Sequence, residues 1–150
     1  MTPILKRVGM AGVLCGSMAL GAGCGTMSRT QTQTWTMDTA ASVPAAKGDV
    51  KVANEKDGNT KVKVEVEHLA PPALVAPEAA PTAAYVVWIK APGGLPQNVG
   101  VLDVGQNRKG KLETKTPFKE FTVSVTLERS PAVTLPSGER VLDTRITMPT

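Results

Sequence analysis

His68 is the only histidine in the 150 residues, so a serine hydrolase triad built from this chain would have to use it as the base. No serine lies in a nucleophile elbow, and Ser137 in Pro136-Ser137-Gly138 is typical of a turn. His68 stands at the end of an alternating segment, which predicts a rim residue satisfied by backbone or water. We therefore expect no catalytic residue and no enzymatic activity. An enzyme acting on polysaccharide is the least favoured hypothesis.

Carboxylates and cysteines give no stronger signal for catalysis or for metal binding. Glu65 and Glu67 are two residues apart, which places them on one solvated strand face beside lysines, whereas a glycosidase acid needs an apolar pocket. One histidine and two cysteines leave too few ligands for a zinc site. Asp57 alone does not supply the six to eight oxygens of a calcium site. We predict neither metal nor cofactor.

Cys24 is the residue for which covalent chemistry is predicted. Lys6 and Arg7 precede an uncharged stretch, residues 8–23, that is shorter than the about 20 apolar residues of a membrane span and typical of a signal peptide. The stretch ends in Leu20-Gly21-Ala22-Gly23-Cys24, which resembles the lipobox of bacterial lipoproteins, with the leucine one position early. The resemblance implies cleavage before Cys24 and transfer of a diacylglyceryl group to its thiol. The alternative is an ordinary signal peptide, which leaves Cys24 as a free thiol.

The predicted processing also sets the compartment and the charge. Gly25 follows the cysteine where the resemblance would place an aspartate for inner-membrane retention. We therefore expect a bacterial envelope protein held by its lipid to the membrane, on the periplasmic side of the outer rather than the inner membrane. Removal of residues 1–23 takes away two of the 17 basic residues and lowers the net charge of +4. Since blocks of like charge are absent, no nucleic-acid partner is predicted.

Residues 24–48 are predicted to be a lipid anchor followed by a flexible tether, because they are rich in Thr, Gln, Ser and Ala. Two alternatives remain open within this segment. Trp35 and Met37 alternate with polar residues, as in a short edge strand. Trp35 is also suited to a membrane interface.

Residues 49–150 carry the signals of an all-β domain. Aromatic residues make up 3% of the chain, while Gly and Pro are frequent, which favours short strands and turns over a helical bundle. The alternation of apolar and polar residues predicts seven strands, at residues 50–52, 61–67, 85–89, 99–104, 111–114, 121–128 and 141–148. We predict an immunoglobulin-like antiparallel β-sandwich of about seven strands.

Three of these segments carry more specific expectations. The proline-rich residues 69–84 are predicted to cross from one sheet to the other as a long loop. Residues 85–89 are apolar at every position, which predicts either a strand covered on both sides or a central strand with one side under a loop, with Val86 and Trp88 on one face. The hydroxyl-rich polar face of residues 121–128 suggests an exposed sheet surface.

The second half of the domain resembles the extracytoplasmic C-terminal domain of anti-sigma-K-factor-type regulators. The matching pieces keep the order of that family: Tyr85-x-x-Trp88; Gly93-Gly94-x-Pro96 with Gly100; Phe121-x-Val123-x-Val125-Thr126-Leu127-Glu128; and Pro136-Ser137-Gly138 before Val141-Leu142. The resemblance implies a small antiparallel sandwich outside the cytoplasmic membrane. Because the sequence contains no counterpart of the family's cytoplasmic anti-sigma domain or transmembrane helix, the sigma-factor-binding part is not carried over.

Two hypotheses about function follow. The first is a non-enzymatic, lipid-anchored interaction or sensory module with an envelope protein as its partner. The second is a structural envelope lipoprotein that packs with other envelope components through its sheet edges. The basic segment 105–111 is expected to be a solvated hairpin tip, with a weak contact to lipid headgroups or an anionic polymer as the alternative.

Overall fold

The computed structural model describes residues 30–149, and most of their regular structure is β-strand. The predicted signal peptide, Cys24 and the first part of the predicted tether lie outside these residues. The strands are β1 (Thr32–Thr36), β2 (Asp38–Thr39), β3 (Lys47–Asn54), β4 (Thr60–Glu67), β5 (Ala84–Lys90), β6 (Gln97–Val104), β7 (Gly110–Thr116), β8 (Glu120–Glu128) and β9 (Glu139–Thr147). One helical turn, α1 (Pro72–Val75), and a 3₁₀ turn (Pro77–Ala79) lie between β4 and β5. The predicted all-β fold is confirmed.

All seven predicted strands are present, as β3 to β9. Their turns use the residues that tight turns require: Gly58 adopts a φ of 84° between β3 and β4, and the Asp57 carboxylate accepts a hydrogen bond from the Asn59 amide at 3.0 Å. Residues 91–96 join β5 to β6, and residues 105–109 join β6 to β7, as the Gly-rich sequence predicts.

The strands form one antiparallel sheet in the order β1-β3-β4-β7-β6-β5-β8-β9-β2, folded into two layers. We call the layer of β1, β3, β4 and β7 layer A, and the layer of β6, β5, β8, β9 and β2 layer B. β6 lies mainly in layer B, and only its last residues reach layer A, where Asp103 pairs with Lys111 and Val104 with Gly110. As predicted, residues 69–84 cross between the layers, and the Tyr85 hydroxyl donates to the Ala70 carbonyl at 2.8 Å along this crossing.

The interpretation of residues 25–48 as a flexible tether is wrong for residues 32–48. β1 pairs with β3 over five residues, from Thr32 opposite Ala53 to Thr36 opposite Asp49, and β2 pairs with β9. Met37, between them, is 4% exposed and belongs to the core. Residues 32–39 therefore pass from the edge of one layer to the edge of the other, which explains why a polar, threonine-rich segment is ordered. The edge-strand alternative was the better interpretation of Trp35 and Met37.

The core lies between the layers and follows the predicted period of two. Layer A contributes the inward valines of β3 and β4, and layer B contributes the inward residues of β5, β8 and β9. A bulge in β9 opposite Val125 brings both Val141 and Leu142 into the core. Among the described residues no helix is long and apolar enough to cross a membrane.

Candidate functional site: a strapped loop and a charged face

The outer face of layer B is covered by the loop of residues 129–138, which we call the strap. The strap leaves the end of β8 and is held beside β6, where the Asn98 side-chain amide donates to the carbonyls of Pro131 at 3.1 Å and Val133 at 2.9 Å. Because β5 lies between β8 and β6 in the sheet, the strap passes over the outward residues of β5. Val86 and Trp88 are accordingly 0% exposed although they lie outside the main core. The prediction of a central strand with one side under a loop is confirmed.

A chain of buried hydrogen bonds fixes the strap. The Trp88 indole Nε1–H donates to Thr126 Oγ1 at 2.8 Å, and the Thr126 hydroxyl donates to Glu128 Oε1 at 2.6 Å. Glu128 also accepts from the Ser137 amide at 3.0 Å and from the Ser137 hydroxyl at 2.7 Å. The two ends of the strap are thereby joined through one carboxylate.

The Glu128 carboxylate remains ionised although its residue is only 1% exposed. Burial acts to raise its pKa, but hydrogen bonds from Ser137, Thr126 and the Gly138 amide outweigh burial and hold the pKa below its usual range. Gly138 is required at its position because a Cβ atom there would stand 1.7 Å from the Leu127 carbonyl oxygen. The strap is therefore held against β8 by the Glu128 carboxylate, which accepts its hydrogen bonds, and by Gly138, whose lack of a side chain allows the close approach.

Apolar side chains remain exposed around this region. Leu135 on the strap is 53% exposed, Val101 on the outer face of β6 is 39% exposed, and Leu95 in the turn before β6 is 75% exposed. Leu74 and Val75, on α1, are the other exposed large hydrophobic residues within the described part of the chain. All five belong to layer B, its turns or the crossing between layers.

The outer face of layer A is a lattice of lysine and carboxylate side chains on β3, β4 and β7, which we call the charged face. Glu65 on β4 contacts Lys51 Nζ at 2.5 Å and Lys63 Nζ at 2.7 Å. Lys61 contacts Glu113 at 2.9 Å across the neighbouring strand pair. Residues directly opposite in β3 and β4 carry like charges, as Lys51 and Lys63 do, so the ion pairs run diagonally between strands or along one strand. The face is solvated, as the sequence predicts.

The lysines of this face determine the protonation of its acids. Hydrogen bonds from the Lys51 and Lys63 ammonium groups lower the pKa of Glu65 to about 2. Hydrogen bonds also lower the pKa of Glu67, through Lys109, and of Glu113, through Lys61. None of these carboxyls is suited to donate a proton near neutral pH.

An open groove of about 700 Å³ lies at one end of the charged face. Lys47, Lys51, Lys109 and Lys111 line it together with Asp49, Glu65, Glu67 and Asp103. The groove presents as many cationic as anionic side chains, so it has no strong preference for either sign of ligand.

The structure places the sequence-predicted residues as follows. His68 is exposed at the end of β4, the rim position that was predicted, with a φ of 58°. Glu65 and Glu67 lie on β4 and pair with lysines rather than with each other. Within residues 30–149 no group of three metal-ligating side chains is assembled. Cys24 lies outside the described residues.

The sequence did not predict the hydrogen-bonded network that joins Trp88, Thr126, Glu128 and Ser137. The hydroxyl-rich face of β8 was expected to be exposed, yet Thr126 is 3% and Glu128 1% exposed. Ser137, interpreted as a turn residue, also donates two hydrogen bonds to Glu128. The alternation of apolar and polar residues carries no signal for this network, because Thr126 and Glu128 alternate as exposed strand residues do.

Searches with the chain against protein-family models, curated proteins and solved structures found no match.

Proposed function

We propose that this chain is a non-enzymatic, lipid-anchored protein of the bacterial envelope whose sandwich is an interaction or sensory module like the extracytoplasmic part of anti-sigma regulators. The observation that carries the proposal is the convergence of the resembling pieces. Trp88, Thr126, Glu128 and Ser137 come from separate segments and meet in one hydrogen-bonded chain. β5 and β8 are neighbouring strands, and Ser137 joins the strap to them, so three of the resembling pieces form one surface element.

The strap is the contact surface that this arrangement favours. A loop whose ends are joined by a buried carboxylate is held in one shape, so a partner that binds it loses little conformational entropy. Leu135 gives the strap an exposed apolar side chain, and Val101 lies on the same outer face of layer B. An apolar anchor within a polar surround is typical of protein contact sites.

The charged face is a weaker candidate for a specific contact. Its lysines and carboxylates already satisfy one another, as in the Lys63–Glu65 and Lys61–Glu113 pairs. A partner would have to break these pairs. The new ion pairs that it formed in exchange would add little free energy of binding, because exposed ion pairs are weak.

The experiment that tests the proposal has two readouts in cells. Incorporation of labelled palmitate into the wild-type chain and its loss in Cys24→Ala would support the anchor. An unlabelled, soluble wild-type protein would contradict it. A photo-crosslinking residue at position 135 should then capture one dominant envelope protein, whereas the same residue at position 113 on the charged face serves as a matched control. Equal, diffuse crosslinking at both positions would contradict the strap as the contact surface.

A specific observation also favours the second candidate, a structural envelope lipoprotein that packs through its edges. β7 pairs with β4 along its length, but with β6 only at Gly110 and Lys111. Within residues 30–149, the backbone of β7 from Leu112 to Thr116 therefore has an edge without a strand partner, which is a template for strand addition. Crosslinks confined to copies of the same chain, obtained from position 113 and not from position 135, would favour this function over the first.

A further inference from the structure

The chain between the predicted anchor and the domain is much shorter than the sequence alone indicates. The structure places Thr30 just before β1, so only residues 25–29 separate Cys24 from it. Six residue steps span at most about 20 Å when fully extended. Since β3 alone, with eight residues, is about 27 Å long, the domain is longer than the segment that holds it. One end of the sandwich must therefore remain near the bilayer.

The strand registers identify that end. Thr32 pairs with Ala53 at the end of β3, and Thr60 pairs with Thr116 at the end of β7. Lys90 pairs with Thr122, and Met148 donates its amide to the Lys119 carbonyl. We call this end the anchor-proximal end. It comprises Thr30, the β3–β4 turn (55–59), the β5–β6 turn (91–96), the β7–β8 connection (117–119) and residues 148–149.

The anchor-proximal end has cations without carboxylate partners. Lys115 is paired with Glu55 at 2.8 Å, and Arg145 with Glu120. Lys56 and Lys90, by contrast, are exposed and form no ion pair with any described residue. Lys119 Nζ is held by neutral oxygens, of Asn54 at 2.8 Å and of Gly58 and Thr60 at 3.0 Å. These three bonds use all the N–H donors of Lys119, so the ammonium groups available for anions are those of Lys56 and Lys90. Both are attracted to a surface of anionic headgroups within a Debye length.

The same end carries the most exposed large hydrophobic residue of the described chain. Leu95 is 75% exposed at the tip of the β5–β6 turn, beside Pro92, Gly93 and Gly94, which give the turn little side-chain bulk. An exposed leucine at an end of the domain that also carries exposed lysines is suited to shallow insertion at a headgroup boundary.

We propose that the anchor-proximal end is a membrane-contact surface, on which Lys56 and Lys90 bind anionic phospholipid headgroups while Leu95 inserts at the interface. The inference rests on the proposed lipidation of Cys24. The basic tip at residues 105–111 joins the other ends of β6 and β7, so it lies at the opposite end and points away from the bilayer. Lys109 in that tip is paired with Glu67 at 2.7 Å, and the short segment before Thr30 keeps the tip away from the bilayer, which together make it the poorer headgroup site.

The test uses the full, processed chain reconstituted into vesicles of phosphatidylethanolamine and phosphatidylglycerol. Leu95→Cys and, as the matched control, Gln106→Cys in the exposed turn at the opposite end each supply one free thiol, because Cys15 leaves with the signal peptide and Cys24 carries the lipid. An environment-sensitive fluorophore is attached to each, and quenching by headgroup-nitroxide lipid is measured. Quenching at position 95 should exceed that at position 106 several-fold. Lys56→Gln with Lys90→Gln should reduce the excess in these vesicles and not in vesicles of neutral lipid.

The outcomes separate this inference from the function on which it depends. Palmitate incorporation is measured on the same variants, and its absence would overturn the anchor and the membrane contact together. Lipidated protein with equal quenching at positions 95 and 106 would overturn the membrane contact alone. The fluorophore at position 95 could instead become more buried as the protein density on the vesicles rises, without quenching by the nitroxide lipid. That result would overturn the membrane contact in favour of a contact between copies of the chain. Insertion of a long Gly-Ser segment after Ser28 should abolish the difference between the positions, since it lowers the local concentration of the domain at the surface.

Discussion

Lys63 and Trp88 both point away from the core of the same sandwich, one from layer A and the other from layer B. The Lys63 side chain is 30% exposed and shares Glu65 with Lys51, whereas Trp88 is 0% exposed beneath the strap. On layer A the outward residues of the alternating strands are charged and lie at the solvent-facing surface. On layer B the outward residues Trp88, Thr126 and Glu128 form a second, smaller buried layer.

The difference shows how each face is stabilised. Exposed ion pairs gain little because water and salt screen them, so the charged face keeps layer A soluble without determining its shape. A buried polar network must be fully satisfied to be tolerated. Among the described residues no buried side-chain nitrogen or oxygen lacks a hydrogen-bond partner. The strap is therefore expected to be sensitive to single substitutions, and the charged face is expected to tolerate them.

The largest expected effect is that of Trp88→Ala. Removing this fully buried side chain leaves a cavity under the strap and takes away the donor to Thr126, so we expect the free energy of unfolding to fall by about 3–5 kcal/mol. Urea unfolding of the non-lipidated Cys24→Ala protein measures it. Val101→Ala, on the same outer face and 39% exposed, is the control and should change the free energy by about 0.5 kcal/mol or less. Similar losses for both substitutions would show that the strap does not bury Trp88.

Both outer faces cover one shared core, and residues 32–39 close this core by joining the edge of layer A to the edge of layer B. Met37→Ala tests this, because Met37 is 4% exposed and lies against Gly48. We expect a loss in the lower part of the range of about 2–5 kcal/mol for a buried methionine, measured by the same urea titration. Thr34→Ala, exposed on β1, is the matched control. If Met37→Ala were as stable as Thr34→Ala, residues 32–39 would not close the core, and the flexible tether predicted from the sequence would describe them better.

The seven strands of residues 49–150 were predictable because their signal is local. A valine at every second position of β4, with Lys or Glu between, determines both the strand and its buried face. Residues 32–39 give no such signal, since Trp35 and Met37 are apolar positions in a threonine-rich segment. Their order comes from pairing with β3 and β9, which is a tertiary effect.

The buried face of layer B escaped prediction for a related reason. Thr126 and Glu128 alternate with apolar residues as exposed strand residues do, and only the strap, the loop that follows β8, covers them. Glu128 is tolerated there because Ser137 and Gly138 supply donors that a pattern of apolar and polar residues does not reveal. The ion pairs of Glu65, by contrast, follow from the register of neighbouring strands, which the turn residues fix.

Glu128→Gln tests how much the buried charge stabilises layer B, because the substitution removes the charge and preserves the shape of the side chain. Loss of the charge-assisted hydrogen bonds should lower the free energy of unfolding near neutral pH by about 1.5–3 kcal/mol. Because the pKa of Glu128 is below its ordinary value of 4.5, the folded state binds this proton less readily than the unfolded state. The contribution is therefore complete above pH 4.5 and is lost as the pH falls through the folded-state pKa.

Urea titrations of wild type and Glu128→Gln across this range check the prediction. The difference between the two proteins should be constant above pH 4.5 and shrink below it. A difference that grows on acidification would mean that the buried carboxyl is held in its neutral form.

The smallest effect is expected for Glu65→Gln on the charged face, and its dependence on salt separates the two faces. Hydrogen bonds from Lys51 and Lys63 lower the pKa of Glu65 from 4.5 to about 2, so its contribution persists down to pH 4.5 and is lost between there and about pH 2. Because the pair is exposed and screened, we expect a smaller loss of stability than for Glu128→Gln, and one that diminishes as salt is added. Urea titrations of both variants at low and high salt measure this. The Glu128→Gln loss should barely change, since the strap excludes ions from Glu128. If both losses shrank equally with salt, Glu128 would be as accessible to ions as Glu65, and the strap would not be the closed cover that distinguishes layer B from layer A.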